Sequence, residues 1–408
     1  MATETVDQKF EILIAKFMKI LHTVENYFPS VGGAQEVVRQ ISERLVKLGH
    51  DVTIATSKLP ARTALEHNGV KIVEFDIHGK EAIGISGPDI QKYRDFLTNS
   101  DFDVVMNYAA QQWATDIAFE ELSKIKCAKV LVPCGFSGLY DPVYKKYFKK
   151  MPEVLSNYGA TVYLSDDYRD INFARQHKIM NTHLIPNGAG ADEFSQPIDF
   201  SIRDRLGIPE DNFLILLVGS HTGLKGHAEA IEIFKRADIQ NATLLIVAND
   251  FGEACTRTCK RSALAFKFNP SYKKVHKQLL IKSLPRLDTI AAYKAADLFL
   301  FPSNVEASPL VLFESMAASL PFLTTNVGNA NEIIKWSGGG KLLPTKIDGS
   351  GLSHADVDES AKSLEDWFNN RKQVRSLGER GHTAWKEKFT WEIIARQYEK
   401  LYKEVLAK

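Results

Sequence analysis

Apolar residues in this chain fall into two kinds of pattern that take turns along its length. Short, nearly continuous apolar runs bounded by polar turns predict buried strands; stretches with an apolar residue at every third or fourth position predict helices. MKILHTV (Met18–Val24) reads as the first strand and is followed by the glycine-bearing loop ENYFPSVGGAQE. A helix then presents Val37, Val38, Ile41, Leu45 and Leu48 on one face, is closed by Gly49, and gives way to the strand DVTIATS. The rhythm continues through Val70–Phe75, Phe102–Tyr108, Ala128–Gly135 and Thr161–Asp167. It resumes with FLILLVGS (Phe213–Ser220), apolar enough to be buried on both faces, then ATLLIVAND, DLFLF (Asp297–Phe301) and PFLTT (Pro321–Thr325). Strands and helices alternating in this way predict an α/β fold built on parallel sheets.

A chain of 408 residues exceeds one ordinary core and fits two domains of roughly 200 residues each. Asn187-Gly188 is a turn pair tolerant of left-handed backbone, and THLIPNGAGADEF (Thr182–Phe194) around it resembles an interdomain element, a resemblance that implies a boundary with residues 1–187 in one domain and 188–388 in the other. FTWEIIARQYEKLYKEVL (Phe389–Leu406) is an amphipathic terminal helix. Residues 1–17 read as an extension ahead of Met18, carrying acidic residues and lacking the small-residue cleavage site of a secretory signal.

Composition narrows the function classes. Hydrophobic residues at 44% and charged residues at 25% are the proportions of a soluble globular protein, and a net charge of +1 argues against a general nucleic-acid binder. No apolar run reaches the ~20 residues that a membrane helix needs. Cys127, Cys134, Cys255 and Cys259 show no zinc spacing; Cys255 and Cys259 lie close but lack a paired histidine set, so no metal and a reducing cytoplasm are expected. PVYKKYFKKMPEVL (142–155) alternates aromatic and basic residues. Two readings of it stand: rings laid into an anionic bilayer surface, a peripheral membrane contact, or rings on the core beneath a solvated basic face. Thr256–Lys277 is basic and irregular, and no role follows for it.

The chemistry concentrates in AADLFLFPSNVEASPLVLFESMAASLPFLTTNVGNANE (Ala295–Glu332), a strand, a polar loop, a helix from about Pro309 and a second strand. Ser308 suits the N-cap and Pro309 the first helical position. Amides at Ser308, Pro309's successor Leu310 and Val311 would then face a phosphate or pyrophosphate at the carboxyl edge of the sheet. Glu306 in the loop and Glu314 on the helix are two-oxygen acceptors fit for the vicinal hydroxyls of a ribose or hexose. Anion and sugar together describe a nucleotide-sugar.

Glu306 and Glu314 with their setting, EASPLVLFE-SMAASLPF after DLFLFPS and before NVGNANEI, resemble the donor site of GT-B glycosyltransferases of glycosyltransferase family four. The resemblance spans nearly the whole chain from Met18. It implies two Rossmann-like domains with parallel sheets facing across a cleft, and a last helix that crosses back onto the first domain. It implies a retaining, metal-independent transfer of sugar from a nucleotide-sugar to a glycan, lipid-linked or small-molecule acceptor, with no cofactor. Lys225-Gly226 stands at the family's Lys-Gly position, where the ammonium reaches the donor β-phosphate; a lone surface lysine is the plain alternative. Gly32-Gly33, on spacing alone an ordinary tight turn, stands where the family brings a Gly-Gly turn against the donor phosphates. In this reading Glu306 and Lys225 carry catalysis, and Glu314 holds the ribose. Gly219, Ser220, Arg286, Ser308, Pro309, Leu310 and Val311 complete the donor side, with Cys134 and Gly135 toward the transferred sugar.

Three positions depart from the family pattern. Gly219-Ser220 replaces a usual Gly-Arg, leaving His221, Arg257 or Arg286 to supply the second cation. Cys134 stands where a histidine is common and cannot match its hydrogen bonding. Ser319 replaces a glycine before the second strand, a change expected to be harmless. The missing arginine and histidine motivate a second reading, a non-catalytic GT-B protein that binds a nucleotide-sugar or a partner transferase. A nicotinamide dehydrogenase is disfavoured, because the three-glycine fingerprint and its ribose-binding acid are absent after the first strand.

Overall fold

The alternation of side chains along each strand builds the fold. In a strand, successive residues point to opposite faces, so an unbroken apolar run must be covered on both. The computed structural model, which describes residues 17–249 and 254–408, shows this in Phe213–Val218. Leu214 and Leu216 enter one apolar cluster while Phe213, Ile215 and Leu217 enter another on the opposite face. Leu298 and Leu300 divide from Phe299 and Phe301 in the same way. The extension read at residues 1–17 lies, except for Phe17, outside the described residues.

Contacts divide the chain into two units. One runs to Tyr163 and adds Asn172–His183 and Ala395–Lys408; the other combines Leu164–Ile171 with Leu184–Ile394. The second unit holds a six-stranded parallel sheet in the order Lys277–Lys282, Ala242–Val247, Phe213–Val218, Leu298–Phe301, Phe322–Thr324, Gly340–Leu342. Chain order runs outward in both directions from the pair Phe213–Val218 and Leu298–Phe301, which meet in the register Ile215 to Leu298 and Leu216 to Phe299. Their loops leave the carboxyl edge in opposite directions, opening a crevice.

The first unit repeats the plan. Its parallel core runs Ala160–Tyr163, Ala128–Val132, Val104–Tyr108, Lys19–Thr23, Asp51–Ser57, Val70–Phe75, with Glu66–His67 antiparallel at one edge. The reversal here lies between Lys19–Thr23 and Val104–Tyr108. From Ala395 onward, the terminal helix Trp391–Leu406 belongs to this unit. His22, fully buried on the first strand, ties three elements together: Nδ1 lies 2.7 Å from Ser42 Oγ and Nε2 3.0 Å from Tyr402 Oη. Tyr402 donates its own proton toward Met106 Sδ at 3.0 Å, which assigns the imidazole proton to Nε2.

Two expectations are corrected and one open pair of readings narrows. The 142–155 segment is a short 3-10 turn and a helix, Lys145–Ser156, whose Tyr147, Phe148, Met151 and Leu155 are buried. Of its two readings, this is the one with the aromatic side on the core. Thr256–Lys277 is not irregular: it falls largely in the helices Ala254–Phe268 and Pro270–Lys274, the latter capped by Asn269 accepting from Ser271 N. Its basic residues broke the apolar periodicity without breaking the helix, because propensity tolerates Lys and Arg. Ser319 is not neutral either. It sits at φ +57 in the left-handed region where the family keeps glycine.

Two outcomes follow. Burial holds the His22 imidazole down from its ordinary 6.5 to about 3. Between those values the unfolded chain binds a proton that the folded chain refuses, so this contribution is complete above pH 6.5 and is lost as pH falls toward 3. His22→Gln should lower the melting temperature at neutral pH, yet show a shallower decline over that window, by differential melting of the two proteins. An equal slope in both would dismiss the buried imidazole as a cause. Ser319→Gly removes the left-handed penalty of roughly 1–2 kcal/mol and adds some unfolded-state entropy, for a net gain of a few tenths to about 1 kcal/mol in urea unfolding. A destabilised variant would count against it.

Candidate functional site

The loops leaving the two central strands of the second sheet are locked to each other. Gly219–Gly226 follows Phe213–Val218, and the segment from Pro302 follows Leu298–Phe301. The Asn304 amide donates to the Leu224 carbonyl at 2.9 Å, and Ser303 Oγ lies 3.1 Å from the same oxygen. Gly226 has φ +69 and caps the helix His227–Arg236; a Cβ there would lie 1.9 Å from the Pro302 carbonyl oxygen, so only glycine permits this approach.

That approach brings Lys225 and Glu306 together. Lys225 Nζ lies 2.6 Å from Glu306 Oε1, which also accepts from Ser303 Oγ at 2.9 Å. Their side chains keep 27% and 12% of their exposure, enough to meet a ligand yet dry enough for the pair to matter. Glu314 is buried on the next helix, and its Oε1 lies 2.6 Å from Arg286, whose other nitrogens reach Glu193 at 3.0 and 2.8 Å. Burial pushes the Glu314 carboxyl up, while Arg286 pulls it back down without cancelling the rise. Glu193 left no signal in the sequence; it arrives on the four-residue helix Ala191–Phe194 after the Asn187-Gly188 turn.

The start of that helix differs from expectation. It runs Leu310–Ala317, with Pro309 at the N-cap in extended backbone (φ −70, ψ 113) and no side-chain cap. Ser308 does not cap it, because the hydroxyl accepts instead from Asn329 Nδ2 at 3.1 Å, while the Ser308 carbonyl accepts from Asn187 Nδ2 at 3.1 Å. Both asparagines are buried, so Ser308 serves to pin the loop. The first-turn amides at Leu310 and Val311 thus lack a side-chain acceptor.

Of the cations considered for the missing arginine, Arg286 is committed to Glu193 and Glu314, and Arg257 is exposed on Ala254–Phe268. His221 is buried beside His227, ring centroids 4.7 Å apart. The two histidines meet Cys255 and Cys259, and all four donor atoms lie within 4.8 Å of one another. The expectation that the cysteines lack a paired histidine set is therefore wrong. The histidines come from the loop after one strand and the cysteines from the helix after its neighbour, so linear spacing could not reveal them. Burial, with His221 alongside, holds His227 down to about 4, keeping it neutral.

The remaining candidates lie in the first unit. Gly32 is the extended N-cap (φ −176) of the helix Gly33–Lys47, and a Cβ on Gly33 would meet nothing within 4 Å. A Cβ on Gly32 would instead lie 2.5 Å from the end of the Gln35 side chain, so of the two only Gly33 is small without a steric need. Cys134 and Gly135 follow the strand Ala128–Val132 at φ +61 and +94. Ala109, Gln111 and Phe136 share positive φ on the same carboxyl edge, and such strain in non-glycine residues gathers where function holds it in place. Asp116, which the sequence did not single out, braces this edge by accepting from Gln111 N at 3.1 Å and Tyr147 Oη at 2.8 Å. Burial pushes its carboxyl up to about 6.

Comparison with known proteins fits this geometry. The family model for glycosyl transferases group 1 matches residues 199–384, and that for glycosyltransferase family 4 matches 31–189. N-acetyl-alpha-D-glucosaminyl L-malate synthase of Bacillus anthracis is 23% identical over 398 residues, 93% of this chain and 96% of that protein. Sucrose-phosphate synthase from Thermosynechococcus elongatus aligns at a TM-score of 0.74 and 19% identity, covering 96% of this chain and 99% of its own. Anabaena HepE, solved in complex with UDP-glucose, aligns at 0.72 and 15% identity, covering 95% and 100%. The structural likeness carries the fold and the two family models carry the lineage: this chain belongs to the GT-B glycosyltransferases of the family 4, group 1 kind.

Proposed function

We propose that this protein moves a sugar from a nucleoside diphosphate sugar to an acceptor hydroxyl, retaining the anomeric configuration, in the assembly of a glycan or a small glycoside. The observation that carries the reading is the Lys225–Glu306 pair, 2.6 Å apart at the carboxyl ends of the two strands where the second sheet reverses. When the anomeric C–O bond breaks, its electron pair stays on the β-phosphate oxygen of the departing nucleotide. In this reading Lys225 takes up that charge together with the amides of Leu310 and Val311, a reading supported by the lack of a side-chain cap at that helix start. Glu306 accepts from hydroxyls of the transferred sugar, and Glu314, oriented by Arg286, accepts from the ribose. The acceptor oxygen forms the new bond to the anomeric carbon, and its proton passes to the departing phosphate oxygen. Gly33, small without a steric need in the fold, and Gly32 beside it suit the approach of a bulky donor.

Names of relatives support this choice of substrate class: HepE is described with UDP and with UDP-glucose, and the Bacillus anthracis protein as a synthase joining N-acetylglucosaminyl to L-malate. A non-catalytic, nucleotide-sugar-binding role is the second reading. It draws on Ser220 and on the engagement of Arg286 and His221 with other side chains.

The two glutamates separate binding from chemistry. Donors are first screened by thermal shift against nucleoside diphosphate sugars, since a ligand of the native state raises the melting temperature. With the donor so found, Glu306→Gln should lower kcat and kcat/KM together, at a cost of at least about 3 kcal/mol in the barrier. Glu314→Gln should act mainly on KM, by about 1.5–3 kcal/mol. Both must melt within a few degrees of wild type. Full turnover in Glu306→Gln would sink the assignment, and the absence of turnover with every donor that binds would favour the second reading.

We further propose that the transfer needs no exchangeable divalent ion, because Lys225 and the helix amides serve the pyrophosphate in its place. Initial rates should be unchanged when EDTA is added with the substrates. A loss of rate restored by magnesium or manganese would overturn this.

A further inference from the structure

We propose that His221, His227, Cys255 and Cys259 form a structural zinc site that fastens the Lys225 loop to the helix Ala254–Phe268. Their donor atoms all lie within 4.8 Å of one another. A tetrahedral zinc with sulfur at about 2.3 Å and nitrogen at about 2.0–2.1 Å places its ligands roughly 3.5 Å apart along each N–S edge. Cys255 Sγ lies 3.3 Å from His227 Nδ1 and 3.6 Å from His221 Nδ1, so those two edges already have the required length.

The local structure supplies each ligand for a reason. Cys255 and Cys259 are four residues apart on one helix, which sets both thiols on the same face one turn apart. His227 is the first residue of its helix, fixed by Gly226 against the Pro302 carbonyl, and His221 lies six residues earlier in the same loop. His221, His227 and Cys259 are each 2% exposed or less. Two thiolates and two neutral imidazoles balance the double charge of the ion, so the burial of charge that would otherwise be costly is compensated. A mixed sulfur and nitrogen set of this geometry selects zinc over magnesium or calcium, which take oxygen. All four positions are protein ligands, which marks a closed structural site and not a catalytic one with a place for water.

Lys225 stands between the two histidine ligands in sequence. The ion thereby anchors the loop on both sides of it without touching the reacting atoms. Its consequence for donor binding rests on the function proposed above; the existence of the site does not. A closed site exchanges slowly, so it is also distinct from any ion stripped during a short assay in EDTA.

The test uses full-length, tag-free protein purified without added metal, analysed by inductively coupled plasma mass spectrometry. About one zinc per chain is expected in wild type, and less than about a tenth of that in Cys255→Ser and in Cys259→Ser. Protein stripped at low pH and refolded with Co²⁺ should show a thiolate-to-cobalt charge-transfer band and the intense d–d bands of tetrahedral cobalt, both weakened in Cys259→Ser. If the serine variants do not fold, the zinc content and cobalt spectrum of wild type decide alone. Wild type with neither zinc nor a tetrahedral cobalt spectrum overturns the proposal. So does zinc retained in both serine variants, or a Cys255–Cys259 disulfide in peptide mass spectra of native protein. None of these readouts depends on turnover, so an inactive protein that holds zinc defeats the proposed function and leaves the site standing.

Discussion

The pairing of Phe213–Val218 with Leu298–Phe301 is the constraint on which the second unit turns. Each strand is apolar on both faces, so neither can lie at a solvent edge, and each must be flanked and covered. Placing them side by side at the point of reversal sends their loops apart at the carboxyl edge. The loops then meet again through Gly226, which lets the Pro302 carbonyl come closer than any side chain would allow. A cation from one loop and a carboxylate from the other end up in contact because of backbone packing; their own attraction is a later contribution.

Polar residues close the arrangement where apolar packing ends. Asn187 and Asn329 reach the Ser308 carbonyl and hydroxyl, and Asn329 also donates to the Leu164 carbonyl at 2.8 Å. Glu332 receives Ser165 Oγ and the amides of Asp166 and Asp167 at 2.5 to 3.0 Å, holding Leu164–Ile171 to this unit although its neighbours in sequence belong to the other. Most of these buried groups are paired, and each lost partner would leave a desolvated group behind; the exception is Asn329 Oδ1, buried with no hydrogen-bond partner among the described residues. Glu314 follows the same logic: burial alone would leave its carboxyl protonated more readily, and Arg286 supplies the compensating charge.

The first unit gathers backbone strain along one edge. Ala109, Gln111, Cys134 and Phe136 all hold positive φ along one carboxyl edge, braced by Asp116 and Tyr147. The fold keeps these conformations at a cost, while at Gly33, after the first strand, no described residue lies within 4 Å of where a Cβ would stand.

By itself the sequence determined most of the strands and their alternation with helices, because short apolar runs bounded by polar turns recur between helical stretches. It did not read Lys277–Lys282 or Gly340–Leu342, where lysines interrupt the apolar run. It also singled out Glu306, Glu314 and Lys225, through the resemblance of the motifs around them; that Lys225 meets Glu306 is seen only in the tertiary structure. It misjudged Ser308, whose capping role depended on whether a distant asparagine claimed its hydroxyl. It could not tell which side of Lys145–Ser156 faces the core, because aromatic rings suit a bilayer and a protein interior equally. It missed Glu193 on Arg286 and the meeting of His221 and His227 with Cys255 and Cys259, for one reason. Those partners approach through the lateral order of strands, which is set by how whole sheets pack, and no local pattern of residues records that order.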